Sequence, residues 1–354
     1  MPPSASPLPP NSLILVTGAN GFLGSHVCAA LLAAGHRVRG SVRNPSKCAW
    51  LASLFDSAHG PGRFSLVAVP DMAAPGAFDA AVRGGVDAIA HVATVMGDLS
   101  PDAGAVIPVV VAGAVNALEA ARKEGSVKAF VYTSSSTAAY SPVPGEVGVV
   151  GSETWNESAV RQAWAPKPWE EGRTAKVYAA SKCEAERAVW RWVEERERER
   201  EDGVGFRVNA VLPNVNFGRV LDPKNQGHPT TSGWAYDLAI GKLAEHMWHA
   251  VQPPEYYVNV EDTALIHVAA LTRPDLDRQR IFAFAGKFNW NTLLQALRKL
   301  YPERTFYEDR EGLGHDLSTI VEAPKAEKIL RDISGRGWKS LEESLKENLE
   351  DLGW

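Results

Sequence analysis

From Leu13 onward, short β-branched and apolar runs alternate with helical periods, the pattern of parallel strands covered by helices. Strands are predicted at 13–16, 37–42, 64–69, 86–92, 130–132 and 207–212. Helical periods between them cover 22–34, 46–55, a weak stretch at 78–82, 105–123, and a long one from about 174 to 201. A further strand at 280–284 and helices at 290–300 and 341–352 complete a smaller C-terminal part. The fold class is α/β, a doubly wound parallel sheet. Residues 13–221 are expected to form its main body, with 258–285 returning to it, while 222–257 and 286–354 form a substrate-binding part. Residues 1–12, with five prolines in the first ten, are expected to be an extended arm. Two segments break the alternation: 141–173, rich in Pro, Gly and Trp, and 222–257, interrupted by Pro223, Gly227, Pro229 and Gly233. Both are expected to be loops covering a site. The charged run from Glu194 to Asp202 carries both signs, with Glu194 and Arg198 at i, i+4, and reads as a solvated helix end.

Composition narrows the class. The 354 residues, 45% hydrophobic and 22% charged, exclude a disordered, collagen-like or coiled-coil chain. A net charge of −5, from 37 basic and 42 acidic residues with no basic block, leaves no footprint for a phosphate backbone or an anionic membrane. Cys28, Cys48 and Cys183 show no C-x-x-C spacing, which points to a reducing compartment without a zinc site. The N-terminus lacks a signal-like n-region and h-region. The longest apolar stretch, 106–112, is broken by Pro108 and short of a bilayer span. A cytoplasmic location is expected.

The first candidate chemistry is Gly18-Ala19-Asn20-Gly21-Phe22-Leu23-Gly24, a glycine loop between a predicted strand and a predicted helix. Gly18 permits the tight turn, Gly21 lets backbone N–H groups approach a pyrophosphate, and Gly24 lets helix and sheet pack closely. The doubly wound sheet is therefore of Rossmann type. No acid stands at the end of the second strand, where NAD binding would place one. Arg43, with Lys47 and Arg39 near it, can pair a 2′-phosphate instead, so NADPH is the expected cofactor. The alternative for Arg43 is a solvated surface charge.

Tyr178 and Lys182 lie at i, i+4 on one helix face, continued by the apolar Ala185, Val189 and Trp192. This face should pack on the sheet and aim the pair at the crevice beyond the strand ends. Thr133-Ser134-Ser135-Ser136-Thr137 puts hydroxyls at the same edge, where they can hold a carbonyl or cap a turn. His91 has no ligand-spaced partners for a metal. Trp155, Trp164 and Trp169 either wall a carbonyl pocket or pack their loop, and packing is favoured. Asn116 is expected to bond backbone from inside a helix, and Asp262 to cap one.

Thr17-Gly18-x-x-Gly21-x-x-Gly24, Thr133-Ser134-Ser135 and Tyr178-x-x-x-Lys182 resemble the extended short-chain dehydrogenases/reductases. The stretches 16–22, 39–43, 177–182 and 210–214 are similar to fungal NADPH-dependent carbonyl reductases of the aldehyde reductase II type, with plant dihydroflavonol reductases more distant. That resemblance runs from about Leu13 to the C-terminus. It implies that Ser135 binds the carbonyl, Tyr178 gives the proton, and Lys182 holds the ribose and assists Tyr178. Ser134 and Ser136 remain alternatives to Ser135. A phenol with an ordinary pKa of ~10 is expected to fall toward ~7 beside the ammonium and the nicotinamide charge. The resemblance also implies that Asp71 and Met72 border the adenine, that His91, Val92 and Ala93 border the pyrophosphate and ribose, and that Pro213 and Asn214 border the nicotinamide. Asn20, Phe22, Leu23 and Thr133 join the cofactor-binding set. The expected activity is NADPH-dependent reduction of ketones or aldehydes, aryl ketones and keto esters among them, on a small-molecule carbonyl substrate. Its rivals are an epimerase or dehydratase that keeps NAD bound, and a non-enzymatic dinucleotide sensor.

Overall fold

The structure, a computed structural model, describes residues 7–95, 100–199, 204–250 and 255–354. The first half of the proline-rich arm, the last residues expected in the long helix and the end of the charged run lie outside the described residues. Seven parallel strands form the central sheet in the spatial order Arg280–Ala283, Arg207–Pro213, Ala129–Thr133, Ala88–His91, Leu13–Thr17, Arg37–Val42 and Phe64–Ala68. The strand order reverses between Leu13–Thr17 and Ala88–His91, whose carboxyl ends, Thr17 and His91, pair in register. That switch point is where such sheets open a crevice for ligands.

The period of two along each strand divides the core. Leu13 and Leu15 point to one face, where helices Ala103–Glu124 and Arg173–Glu199 pack with Ile89, Phe130 and Tyr132. Ile14 and Val16 point to the other, toward helices Phe22–Ala33, Ala49–His59 and Val260–Thr272. Ile14, Leu15 and Val16 are fully buried, each contributing about 1.5–3 kcal/mol by leaving water. Helix Ala103–Glu124 is long and apolar enough to cross a membrane, which the reading of 106–112 alone underrates. Half of its apolar stretch is buried, and it serves here as a core helix.

A second core gathers Phe217, Trp248, Trp290, Leu293, Leu297 and Leu345. It lies on a three-stranded sheet in which Glu255–Asn259 pairs with Gly286–Phe288 on one side and Val215–Phe217 on the other. Helix Ala323–Ser334 has no counterpart in the sequence reading, and it packs Ala326, Ile329 and Leu330 against Ile281 and Ala283 of the main body. Both segments expected to be loops contain regular structure. Strand Val149–Val150 pairs with Thr319–Ile320, and Asn156 caps helix Glu157–Ala163. Pro223, read as a breaker, instead opens helix Pro223–Gln226, whose first turn is capped by the Asp222 side chain.

Candidate active site

The glycine loop leaves the first strand through Gly18, whose φ of +66° is a left-handed conformation that glycine adopts without penalty. A Cβ there would also stand 3.0 Å from the Ala93 Cα. The reason for Gly24 differs from expectation. Its missing Cβ makes room for the loop's own backbone, since the atom would lie 2.1 Å from the Gly18 carbonyl oxygen rather than against the sheet. Opposite the loop, the Thr17 hydroxyl oxygen accepts from the backbone N–H of Val92 at 3.0 Å and of Ala93 at 2.9 Å. Its hydrogen is left for His91 Nδ1, 3.2 Å away. Burial, then the Lys182 charge, pushes the His91 pKa down to about 3, so the imidazole is neutral and can accept it. His91 thus works inside the sheet and does not line the crevice. Among the described residues no group of three or more His, Cys, Asp or Glu is placed to hold a metal.

The crevice at the switch point is a cleft of about 860 Å³. One end is lined by Gly18, Asn20, Gly21, Phe22, Leu23 and Gly24, with Arg43 and Lys47 beside them and Asp71 and Met72 nearby. Val92 and Ala93 line its middle, and Thr133, Ser135, Tyr178, Lys182, Pro213 and Asn214 its far end. Arg39 is not part of it: its guanidinium donates to the carbonyls of Ala81 at 2.8 Å and Arg83 at 2.6 Å. Asn116 also turns away, donating to Met72 O and Ala74 O and so fixing the turn that carries Asp71 and Met72. A dinucleotide fits these residues. Glycines keep the cradle open, Arg43 and Lys47 supply positive charge, and the buried Asn214 Nδ2, close to the Glu255 carboxyl, has no formed hydrogen bond.

At the far end, strand Ala129–Thr133 and helix Arg173–Glu199 meet. Lys182, 3% exposed, donates to the Thr133 carbonyl at 3.1 Å. Burial pushes its pKa down to about 8, opposed by Glu186. The Ser135 oxygen accepts from the backbone N–H of Thr137 at 3.3 Å and from its hydroxyl at 3.0 Å, capping helix Ser136–Ala139. Ser135 is thus a cap and also faces Tyr178, whose phenolate it would favour. Ser134 is committed elsewhere, donating to Glu186 Oε2 at 2.6 Å, and Ser136 does not line the cleft, which leaves Ser135 as the serine that faces the phenol. The expected depression of the Tyr178 pKa is not a property of the protein itself: burial raises it, and only the Ser135 hydrogen bond opposes that rise. The ammonium of Lys182 is turned to the Thr133 carbonyl.

Several residues on the cleft escape sequence reading. Gln226 Nε2 reaches Asn20 O at 3.2 Å and Ser25 Oγ at 3.2 Å, tying the 222–231 segment across the glycine loop. Trp50, Asn44, Thr94 and Asn216 also line it. Only the interruption of the pattern at 222–257 hinted at a covering segment. Packing holds for two of the three tryptophans and Trp164 is half exposed: Trp155 lies 4.0 Å under the Arg280 guanidinium, and Lys167 and Arg173 both stand over the Trp169 ring. Trp164 donates to Glu184. Arg173, the first residue of the helix that carries Tyr178, donates to the carbonyls of Pro101, Gln162, Ala163 and Ala165 at 2.5–3.2 Å. Asp262 is no cap, because Asn259 fills that position; its buried carboxylate accepts from Arg336 and from the Lys339 backbone.

Residues 14–285 match the model of the NAD dependent epimerase/dehydratase family. The chain belongs to that family. Within it, this member is 40% identical over 341 residues to "Aldehyde reductase 2" of Sporidiobolus salmonicolor, covering 96% of each chain. It is 38% identical to "NAD-dependent epimerase/dehydratase terH" of Aspergillus terreus, covering 98% of each. Among solved structures it is similar to Gre2 of Candida albicans in complex with NADPH, with TM-score 0.80, 25% identity, and 97% and 98% of the two chains covered.

Proposed function

We propose that this family member reduces ketones or aldehydes to alcohols at the expense of NADPH. The observation that carries the reading is the convergence of Tyr178, Ser135 and Lys182 at the far end of one cleft whose other end is a glycine loop with Arg43. The 40% identity to an aldehyde reductase supports it. NADPH supplies the hydride when bound. Gly18, Asn20, Gly21, Phe22, Leu23 and Gly24 receive the pyrophosphate, Arg43 and Lys47 the 2′-phosphate, and Asp71 and Met72 the adenine. Val92 and Ala93 wall the ribose, and Pro213 with Asn214 orients the nicotinamide. Because the Ser135 oxygen already accepts twice from Thr137, its hydrogen is the part available to a substrate carbonyl or the phenol oxygen. Tyr178, held protonated by burial, donates its proton to the carbonyl oxygen. Lys182 spends one N–H on Thr133 and keeps two for the ribose hydroxyls. Substrates are small carbonyl compounds, including aryl ketones and keto esters, and the compartment is the cytosol, in keeping with three buried free thiols.

The test is the initial rate of NADPH consumption, with NADH in parallel, across aryl ketones, keto esters and aldehydes. Tyr178→Phe should lower turnover by ~10²–10⁴ and leave the NADPH Kd nearly unchanged. Undiminished turnover in that variant removes the assignment. A second reading, an epimerase or dehydratase that recycles bound NAD, is favoured by the name of the Aspergillus terreus relative. Purified protein that carries NAD through gel filtration would select it.

A further inference from the structure

The proposed reduction leaves Glu186 without a role, yet this carboxylate is fully buried one helical turn beyond Lys182. Its Oε2 accepts from Ser134 Oγ at 2.6 Å and from Arg280 Nη2 at 3.2 Å. Its Oε1 accepts from Arg280 Nε at 2.7 Å and from Trp190 Nε1 at 3.1 Å. Arg280, 8% exposed, donates onward to Ser152 O at 2.6 Å and Thr154 O at 2.8 Å. A buried ion pair is seldom more stable than apolar residues of the same volume, so its position matters more than its strength.

That position touches two parts of the site. Ser134 lies between Thr133, whose carbonyl holds the Lys182 ammonium, and Ser135, which faces the phenol. A hydroxyl fixed at Ser134 fixes both neighbours. The second effect is charge. Facing Lys182 are Tyr178 and Glu186 on its own helix, the Tyr132 ring 5.7 Å away on strand Ala129–Thr133, and the neutral His91 on strand Ala88–His91. Glu186 is the one anion among them. Around Glu186 itself stand Lys182, Arg280, Tyr132 and Cys183, of which Lys182 and Arg280 carry charge.

We propose that Glu186, balanced by Arg280, is a positioning residue that keeps the buried Lys182 ammonium charged and seats the Thr133 to Ser135 turn against the helix of Tyr178. The proposal rests on the reductase reading. With burial already holding Lys182 near 8, loss of the opposing carboxylate lowers it further and discharges the side chain within the working pH range.

The experiment follows the Lys182 Cε resonance against pH in full-length, cofactor-free protein carrying ¹³C-labelled lysine, assigned by its absence in Lys182→Met. The same proteins are then assayed for NADPH-dependent ketone reduction across pH. Glu186→Gln keeps an acceptor for Ser134 but removes the charge. The lysine midpoint should fall by about one unit or more, and the alkaline limb of kcat/KM should move the same way. Ser134→Ala keeps the charge and should leave the midpoint in place while kcat falls roughly tenfold. Should Glu186→Gln fail to fold, Glu186→Gln/Arg280→Met removes the pair at similar volume and should still lower the midpoint, by less, because the Arg280 charge leaves with the carboxylate. An unmoved midpoint and limb in either folded variant overturns the proposal. Tyr178→Phe in the same assay separates the two ideas: full turnover there sinks the reductase reading, while the lysine titration still decides the role of Glu186.

Discussion

Replacing Gly24 with alanine sets helix propensity against the geometry of the loop. Gly24 lies inside helix Phe22–Ala33, where alanine is ordinarily favoured over glycine by about 0.5–1 kcal/mol. The new Cβ, however, would stand 2.1 Å from the Gly18 carbonyl oxygen, 2.9 Å from its carbon and 3.3 Å from the Ala19 Cα. Ordinary contact needs about 3.5 Å, so the Gly18 carbonyl must retreat by roughly 1 Å or more. Backbone has no rotamer to escape into, and overpacking of this kind costs about 1–3 kcal/mol. The net expectation is destabilisation of about 1 kcal/mol, a fall in Tm of roughly 1–2 °C for a chain of this size. The displaced carbonyl also accepts from Gly21 N at 3.0 Å, so the cradle moves with it. Losing one charge-assisted bond to the pyrophosphate, about 1.5–3 kcal/mol, weakens NADPH roughly 10- to 150-fold. Both quantities are measurable on one sample, Tm by circular dichroism and Kd by quenching of tryptophan fluorescence, with Trp50 on the cleft wall as reporter. A Tm at or above that of the parent, together with an unchanged Kd, would refute the reasoning.

Arg43→Ala should cut the preference for NADPH over NADH by roughly 10- to 150-fold, with little effect on NADH kinetics, as one charged hydrogen bond implies. Equal preference in parent and variant would make Arg43 a mere surface charge. Glu255 offers a test by pH. Burial raises its pKa to about 8, with the Asp316 charge adding to the rise and the Asn214 amide opposing it. Between the ordinary carboxylate range and about 8 the folded protein keeps a proton that the unfolded chain has released, so stability falls as pH rises through that window. Glu255→Gln should therefore match the parent in Tm near pH 4.5 and exceed it near pH 8.5; parallel Tm curves would contradict the assignment.

What the sequence made legible was local. The glycine loop, the Tyr178 and Lys182 face and the hydroxyl run each occupy fewer than a dozen consecutive residues, and period-two alternation located the central strands. What it missed depends on partners far apart in the chain. Nothing near Glu186 announces Arg280, which lies 94 residues later, and nothing near Gln226 announces Asn20, 206 residues earlier. Helix Glu157–Ala163 was hidden because a seven-residue element gains its stability from the Asn156 cap and from packing, not from a readable period. The direction in which the Lys182 ammonium turns was hidden for a related reason: i, i+4 spacing shows that two side chains share a face, but not that one of them donates to a carbonyl on a neighbouring strand.

The four carbonyls gathered by Arg173 have a mechanical consequence. Gln162, Ala163 and Ala165 belong to the far side of the 141–173 segment, Pro101 leads into helix Ala103–Glu124, and Arg173 is five residues before Tyr178 on an unbroken helix. A guanidinium bond of this kind is worth about 1.5–3 kcal/mol. To move the segment away from the helix, several must break together. The guanidinium therefore braces the start of the Tyr178 helix against a segment that itself lines no part of the cleft, so the phenol is held in place from outside the site.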